Sequence, residues 1–335
     1  MKIEELGEIG IIERIVEKFR VDREMVTVGA GDDDCAVIDI EKVRNRFKHL
    51  VITTDTLQES THFPHGISAF QMGWSIVAVN LSDVAAMGAY PFAFTIAMGI
   101  PAQTETSFLD ELVAGIEKCA ASYNTSVVGG DITMSKELIL TGTCFGFADR
   151  PVRRAGAKEG DLICVTGSLG NAALALKLMR GELKVPGDVG VEVKKALSQP
   201  VPRINEGITI ANSGVATSMI DISDGLALSL AEIAKRSSVG VELYEDKVPV
   251  LSDEIRSDLR LSTREQRELA YYFGGDYELL FTIDAGALEN EQVMSELIKE
   301  VKMSVIGKIV PQNEGIYFKN GEEKEKVEIR GYQHF

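Results

Sequence analysis

The sequence predicts an α/β (α+β) protein of two domains, and three observations carry that expectation. The chain has 335 residues, enough for two cores. Short apolar strand-like runs alternate with helical segments whose apolar residues recur at three- and four-residue steps. A polar stretch from Asp149 to Gly160, with Pro151, Arg153, Arg154, Gly156 and Gly160, divides the chain near its middle. The expected domains are therefore 1–150 and 151–335.

The elements follow in order. Glu8 to Arg20 reads as a helix with Ile9, Ile11, Ile12, Ile15, Val16 and Phe19 on one face. Val28 to Ile38 is a glycine-rich turn with three consecutive acids, Asp32, Asp33 and Asp34. Leu50 to Thr54 is a strand ending at Asp55, and Gln58 to Gly66 a loop that holds His62. A helix starts near Ser68 or Ala69 and closes at Gly88, with Pro91 beyond it as a stop signal. Many of its residues are small, which lets it approach its neighbours closely, and Asp83 lies on it three residues after Asn80. Phe92 to Ile100 is a strand with Phe92, Phe94, Ile96, Met98 and Ile100 facing one way. Thr106 to Tyr123 is a helix, Ser126 to Val128 a short strand ending in Gly129-Gly130-Asp131, and Leu138 to Phe147 another strand.

In the second half, Leu162 to Thr166 is a strand whose Gly167–Asn171 turn opens a helix over Ala172–Met179. Phosphate cradling at that helix start is weighed against a plain strand–turn–helix junction, and the junction is preferred. Gly181 to Pro202 reads as a mixed connection, then Arg203 to Ala211 as a helix. Ala216 to Ile220 is a strand ending in Asp221-Ile222-Ser223-Asp224-Gly225. Helices at Leu226–Arg236, Thr263–Tyr271 and Glu289–Val301 alternate with strands at Val239–Tyr244, Glu278–Ile283, Val305–Ile309 and Gly315–Lys319.

The formal net charge of −16, from 35 Lys and Arg against 51 Asp and Glu, argues against nucleic acid or an anionic membrane as partner. It leaves room for a small anion when cations mediate. No apolar run approaches a membrane span of about 20 residues, and the acidic start Met1-Lys2-Ile3-Glu4-Glu5 has no secretory core, so a cytoplasmic protein is expected. Cys35, Cys119, Cys144 and Cys164 form no C-x-x-C pair and read as reduced thiols. His62 and His65 lack the neighbours that would complete a zinc site.

The acids share a position. Asp55, Asp131 and Asp221 each follow a short apolar strand, where ligands bind in α/β folds. With Asp83, the Asp32–Asp34 run, Asp224 and the hydroxyls of Thr53, Thr54 and Ser223, they form a set of hard oxygen donors suited to Mg²⁺. Each also has an ordinary reading as a turn former or helix cap, Asp224 especially as a cap for the helix at Leu226. The chain has no P-loop, protein-kinase or Ser-His-Asp signature.

The motifs Gly31–Val37, Thr53-Thr54-Asp55-Thr56-Leu57, His62-Phe63, Gly73-Trp74, Ala78–Ala89, Gly129-Gly130-Asp131, Arg154–Ala157, Asp221–Gly225, Asp276-Tyr277-Glu278-Leu279 and Gly331-Tyr332 run in one order from end to end. In that set and order the chain resembles the thiamine-monophosphate kinase family. The surrounding superfamily also holds aminoimidazole ribonucleotide synthetase and selenophosphate synthetase. The resemblance implies a two-domain synthetase-like fold, with an N-terminal mixed sheet used for homodimer formation and a C-terminal α/β domain completing the site. It implies direct, in-line transfer of the ATP γ-phosphoryl group to thiamine monophosphate, aided by several Mg²⁺ ions. Carried over by position, the metal ligands would be Asp33 or Asp34, Thr53, Thr54, Asp55, Asp83, Asp131, Asp221 and Asp224. ATP would meet Gly130, Asp131, Arg154 and Ser223, and the thiamine substrate His62, Gly275 and Tyr332. Gly275 stands where the family usually has a substrate-touching Glu, and Asp276 or Glu278 are the neighbours that could replace it. Two other readings stand beside this one: another ATP-dependent synthetase of the superfamily, and a non-catalytic divalent-cation or nucleotide-binding module.

Overall fold

The structure, a computed structural model, describes residues 2–30, 36–42, 46–183, 187–251, 261–289 and 291–333. It divides into two compact units, Met1–Val84 with Ala89–Asp149, and Ala85–Gly88 with Arg150–Phe335. No helix among the described residues is long and apolar enough to cross a membrane. The α/β expectation is borne out in both units.

The first unit holds α1 (Ile3–Val16), β1 (Val26–Val28), β2 (Val37–Ile38), β3 (His49–Gln58), α2 (Glu59–His62), α3 (Ala69–Ala86), β4 (Tyr90–Ile100), α4 (Thr106–Ser122), β5 (Ser126–Met134) and β6 (Ile139–Ala148). Its sheet runs β3-β6-β4-β5, antiparallel except for the parallel β4–β5 pair. The small residues of α3 act as expected: a Cβ on Gly73 would meet the Leu112 carbonyl of α4 at 1.9 Å. Ile76, Val77, Leu81 and Val84 are buried, each worth about 1.5–3 kcal/mol of transfer free energy.

Several boundaries differ from the expectation. Helix α1 begins five residues early, interrupted at Gly7 (φ 69°), and ends at Val16. Its broad apolar stripe serves two surfaces: Ile11 and Ile15 are buried, while Ile9 is exposed. Pro91 lies inside β4 rather than before it, where the β4–β6 register shifts between Pro91 and Ala93 and a missing N–H is tolerated. The same shift turns Phe92 away from Phe94, onto the ring of Phe147 at 4.2 Å between centroids. Strands β3 and β5 do not end before their acids, because ladder pairing continues through Asp55↔Gly142 and Ala97↔Asp131.

The second unit holds β7 (Leu162–Thr166), α5 (Asn171–Met179), α6 (Gly187–Ser198), α7 (Ile204–Ser213), β8 (Ala216–Asp221), α8 (Leu226–Ser237), β9 (Gly240–Leu243), α9 (Thr263–Tyr271), β10 (Leu279–Ile283), α10 (Glu291–Val301), β11 (Met303–Val310), β12 (Ile316–Asn320) and β13 (Glu323–Lys326). The sheet order is β13-β12-β9-β11-β7-β10-β8, antiparallel except for β9–β12. Its core joins Ile163 and Val165 of β7, Leu280 of β10, Leu174 of α5, Leu226, Leu230 and Ile233 of α8, and Leu269 of α9. Helix α9 is started by a capping box between Ser262 and Glu265. Helix α6 replaces part of the expected Gly181–Pro202 connection.

Candidate functional site

In the first unit the site grows from α3. From Ser75 to Ala86 every residue is buried except Asp83, which is half-buried. A carboxylate on such a helix needs a partner, and the Thr53 hydroxyl donates to Asp83 Oδ2. Thr53 lies opposite Cys144 on β6. Burial, with the Asp83 charge adding to it, pushes the Cys144 thiol up to about 12. Asn80 does not orient Asp83 in this arrangement; its amide donates to the Ile76 carbonyl one turn back at 2.8 Å.

Strand alternation sorts the other candidates. Asp55 shares the helix-covered face with Thr53 and pairs with Gly142. Thr54 points to the opposite, open face, where its hydroxyl donates to the Gly142 carbonyl at 2.7 Å and accepts from Thr143 at 3.2 Å. Asp131, in register with Ala97 and through it with Thr141 and Thr56, is also on the open face. So the structure brings Thr53, Asp55 and Asp83 to one face and leaves Thr54 and Asp131 on the other. Gly130 and Asp131 line a cavity of about 170 Å³ together with apolar side chains, including Ile12, Val16 and Phe19 of the α1 region and Ile96 and Met98 of β4. Asp33 and Asp34 lie outside the described residues. His62 ends the short helix α2, and its Nδ1 lies 3.0 Å from the Gln58 nitrogen and 3.3 Å from the Gln58 carbonyl oxygen. Glu137 holds this helix by accepting from Gln58 Nε2 and the Ser60 N–H. Among the described residues, no group of three His, Cys, Asp or Glu side chains forms a ready-made metal cage.

In the second unit β8 ends at the buried Asp221 and turns through Ile222-Ser223-Asp224-Gly225 into α8. Asp224 is exposed, and the N-cap position of α8 is Gly225, which has no side chain to cap with. The Asp224 carbonyl accepts the Tyr332 N–H at 3.1 Å. The turn is gripped by residues 274–278: Gly275 N–H donates to the Ser223 carbonyl at 2.8 Å, Tyr277 N–H to Ile222, and Ile222 N–H to Glu278 at 2.7 Å. The exposed Arg154 follows Arg153, whose carbonyl accepts the Met219 N–H from β8.

The D-Y-E-L segment is scaffold here. Asp276 accepts from the Gly170 and Ala172 N–H groups at 2.7 and 3.0 Å and so occupies the N-terminus of α5. A carboxylate of the chain itself thus satisfies N–H groups at this helix N-terminus. Burial pushes the Asp276 carboxyl up to about 7, with the Glu278 charge adding to the rise and the donated N–H bonds opposing it. Glu278 is buried and takes a fork of hydrogen bonds from Arg203 (2.8 and 2.5 Å) and one from Thr166 (2.6 Å). Both acids are therefore engaged by the fold. Gly275 itself has φ +96°, a conformation side-chain-bearing residues rarely adopt. Arg203 and Thr166 escaped the sequence reading because their partner lies 75 or more residues away and no local pattern marks the pair.

Family models described as AIR synthase related protein match residues 32–148 (N-terminal domain) and 158–319 (C-terminal domain). The chain is 40% identical over 260 residues to a thiamine-monophosphate kinase of Methanospirillum hungatei, covering 77% of this chain and 82% of that one. It is 32% identical over 337 residues to that of Aquifex aeolicus, covering 100% of both. In three dimensions it matches a crystal structure of thiamine-monophosphate kinase from Stenotrophomonas maltophilia with a TM-score of 0.80 and 32% identity, over 93% of this chain and 96% of that one. A structure described as AaThiL complexed with AMPPCP and TMP matches with a TM-score of 0.75 and 26% identity, over 100% and 99% of the two chains. With matching family models in both units and relatives of this identity along its whole length, the chain belongs to the thiamine-monophosphate kinase family of AIR synthase related proteins.

Proposed function

We propose that this protein transfers the γ-phosphoryl group of ATP to thiamine monophosphate, forming thiamine diphosphate and ADP. The observation that carries the reading is Asp83: in a family of thiamine-monophosphate kinases, the one half-open position on a buried stretch of helix is a carboxylate, held by Thr53 beside Asp55. The AaThiL neighbour, complexed with AMPPCP and TMP, supports ATP and thiamine monophosphate as the two substrates.

The chemistry suits these residues. The acceptor phosphate monoester, with a second pKa of about 6, is already a nucleophile near neutral pH and needs no catalytic base. The remaining obstacle is repulsion between two polyanions in a protein of net charge −16. Asp83, Asp55 and Thr53 are hard oxygen donors on one face, and they fit Mg²⁺ held by one or two carboxylates with phosphate oxygens and water completing its shell. Bound by these residues, Mg²⁺ would supply charge neutralisation. Thr54 and Asp131, on the opposite face, would serve a separate cation. Asp221 and Asp224 are proposed as ligands from the second unit, and an acid of the Asp33–Asp34 pair as a further one. Gly130, Asp131, Arg154 and Ser223 are proposed to bind ATP, with the apolar walls of the cavity beside Gly130 suited to the adenine ring. His62 and Tyr332 are proposed to meet the thiamine substrate.

A homodimer is proposed through the open face of the first unit's sheet, which displays Leu50 and Ile52 at 53% and 60% exposure. A cytoplasmic setting is proposed on the strength of Cys119, Cys144 and Cys164, all buried and unpaired.

Incubation with ATP, Mg²⁺ and thiamine monophosphate tests the reading. Thiamine diphosphate with stoichiometric ADP is expected. ADP and inorganic phosphate formed only with an amide or carbonyl acceptor would establish a synthetase, and tight cation binding without turnover a non-catalytic module.

A further inference from the structure

Residues 327–333, the described part of the segment after β13, have no regular structure, yet they are tied down at two points. The Arg330 guanidinium lies over the Tyr272 ring, its Cζ 3.6 Å from the ring centroid. The same guanidinium donates to Glu268 of α9 at 2.6 Å and to Glu328 at 2.8 Å. These acids hold its pKa above the ordinary arginine value. Two residues on, the Tyr332 N–H donates to the Asp224 carbonyl at 3.1 Å. Gly331 makes this approach possible, since a Cβ there would lie 2.3 Å from the same carbonyl. Tyr272 is also the first residue past α9, and the loop it opens grips the Ile222–Ser223 turn through Gly275 and Tyr277. One short loop therefore holds both the D-I-S-D-G turn and the tail.

We propose that Arg330 is a positioning residue for the thiamine substrate: by clasping Tyr272 and Glu268 it fixes the backbone of Tyr332, a residue 41% exposed, beside the Asp224 turn. The proposal rests on the reading of Tyr332 as a substrate contact. The clasp calls for arginine in particular. A planar guanidinium stacks on a ring and keeps its fork of donors for the carboxylates, whereas a lysine ammonium offers a point charge alone. Holding the tail in place before substrate arrives removes an ordering cost from binding, so its loss falls on substrate affinity rather than on the chemical step.

The test is steady-state kinetics of the full-length enzyme with each substrate varied in turn. Arg330→Ala is expected to raise the KM for thiamine monophosphate about tenfold, the scale of one cation–π contact with one charge-assisted hydrogen bond. The KM for ATP and kcat should stay at the wild-type values, and Arg330→Lys should fall between. Tyr272→Leu, which removes the ring and keeps the bulk, should give the same split. Arg330→Ala added to Tyr332→Ala should have no further effect. A wild-type KM in Arg330→Ala and Tyr272→Leu, with a raised KM in Tyr332→Ala, overturns the clasp and keeps the substrate contact. A wild-type KM in Tyr332→Ala overturns the contact itself and the clasp with it. Equal rises in both KM values, with a lower melting temperature, would mark Arg330 as a general structural residue and also overturn the proposal.

Discussion

Glu278→Ala should unfold the second unit at a lower temperature without weakening the grip on substrate. The Glu278 side chain is 5% exposed and that of Arg203 28%. Removing the carboxylate takes the fork of acceptors from Arg203, which keeps Glu206 at 3.5 Å, and takes the acceptor from the Thr166 O–H, in a mostly closed site. Breaking a buried ion pair costs about 3–5 kcal/mol, and because water reaches Arg203 the lower end, ~3 kcal/mol, is expected here. For a unit of this size, ~3 kcal/mol corresponds to a fall in melting temperature of roughly 6–12 °C. Calorimetry with urea titration reads both quantities. Replacing the pair together, with Glu278→Leu and Arg203→Met, should recover most of the loss, since an apolar pair of similar volume avoids the desolvation cost. Well below the melting temperature the KM for thiamine monophosphate should remain that of the wild type, because the Ile222 N–H bonds the Glu278 backbone and not its side chain. A loss under about 1 kcal/mol, within the range of ordinary surface substitutions and caps, would refute the buried-pair reasoning. A large KM rise at unchanged stability would refute the scaffold role and return Glu278 to the substrate site.

Asp83→Asn should lower kcat at least about a hundredfold, the loss of a few kcal/mol of metal-assisted stabilisation, while circular dichroism stays native; near wild-type turnover would contradict the ligand role. Gly275→Glu should destabilise the protein by about 1–2 kcal/mol because φ +96° is strained for any side chain, and should not tighten thiamine monophosphate binding; a tighter KM at full stability would show that the loop accepts the family residue. Asp276, with its folded pKa raised from 3.8 to about 7, binds more protons folded than unfolded between those values, so its contribution favours the folded state at low pH and is lost as pH rises through 7. Asp276→Asn should flatten that part of the stability–pH profile, and an unchanged slope would remove Asp276 as its source.

Strand and helix assignments were legible where apolar periodicity was strong, as in α3, α8 and β7, and the two-unit α/β build follows from their alternation. Helix α6 was hidden by the Pro186 and Pro200 that flank it. Strand β13 was hidden by its Glu-Lys-Glu-Lys sequence, which has no apolar face to betray a strand. The acids were legible as a set but not as an arrangement. Whether Asp131 joins Asp83 depends on sheet order and on the β4–β5 irregularity at Phe94/Thr95, and neither leaves a local mark. The D-Y-E-L run was legible as a family sign, yet its work as a helix cap and buried ion pair depends on Gly170, Ala172 and Arg203, far away in sequence. Asp83 itself was visible from the start as a carboxylate among small apolar residues; the structure adds that its half-open position is unique from Ser75 to Ala86 and that Thr53 holds it.

The most direct test of the account is a single-turnover experiment with ATP labelled in its γ-phosphoryl group, Mg²⁺ and thiamine monophosphate. The label should move into thiamine diphosphate as fast as ADP appears, with none retained on the protein. Label found only in inorganic phosphate, or held on the protein, would contradict it.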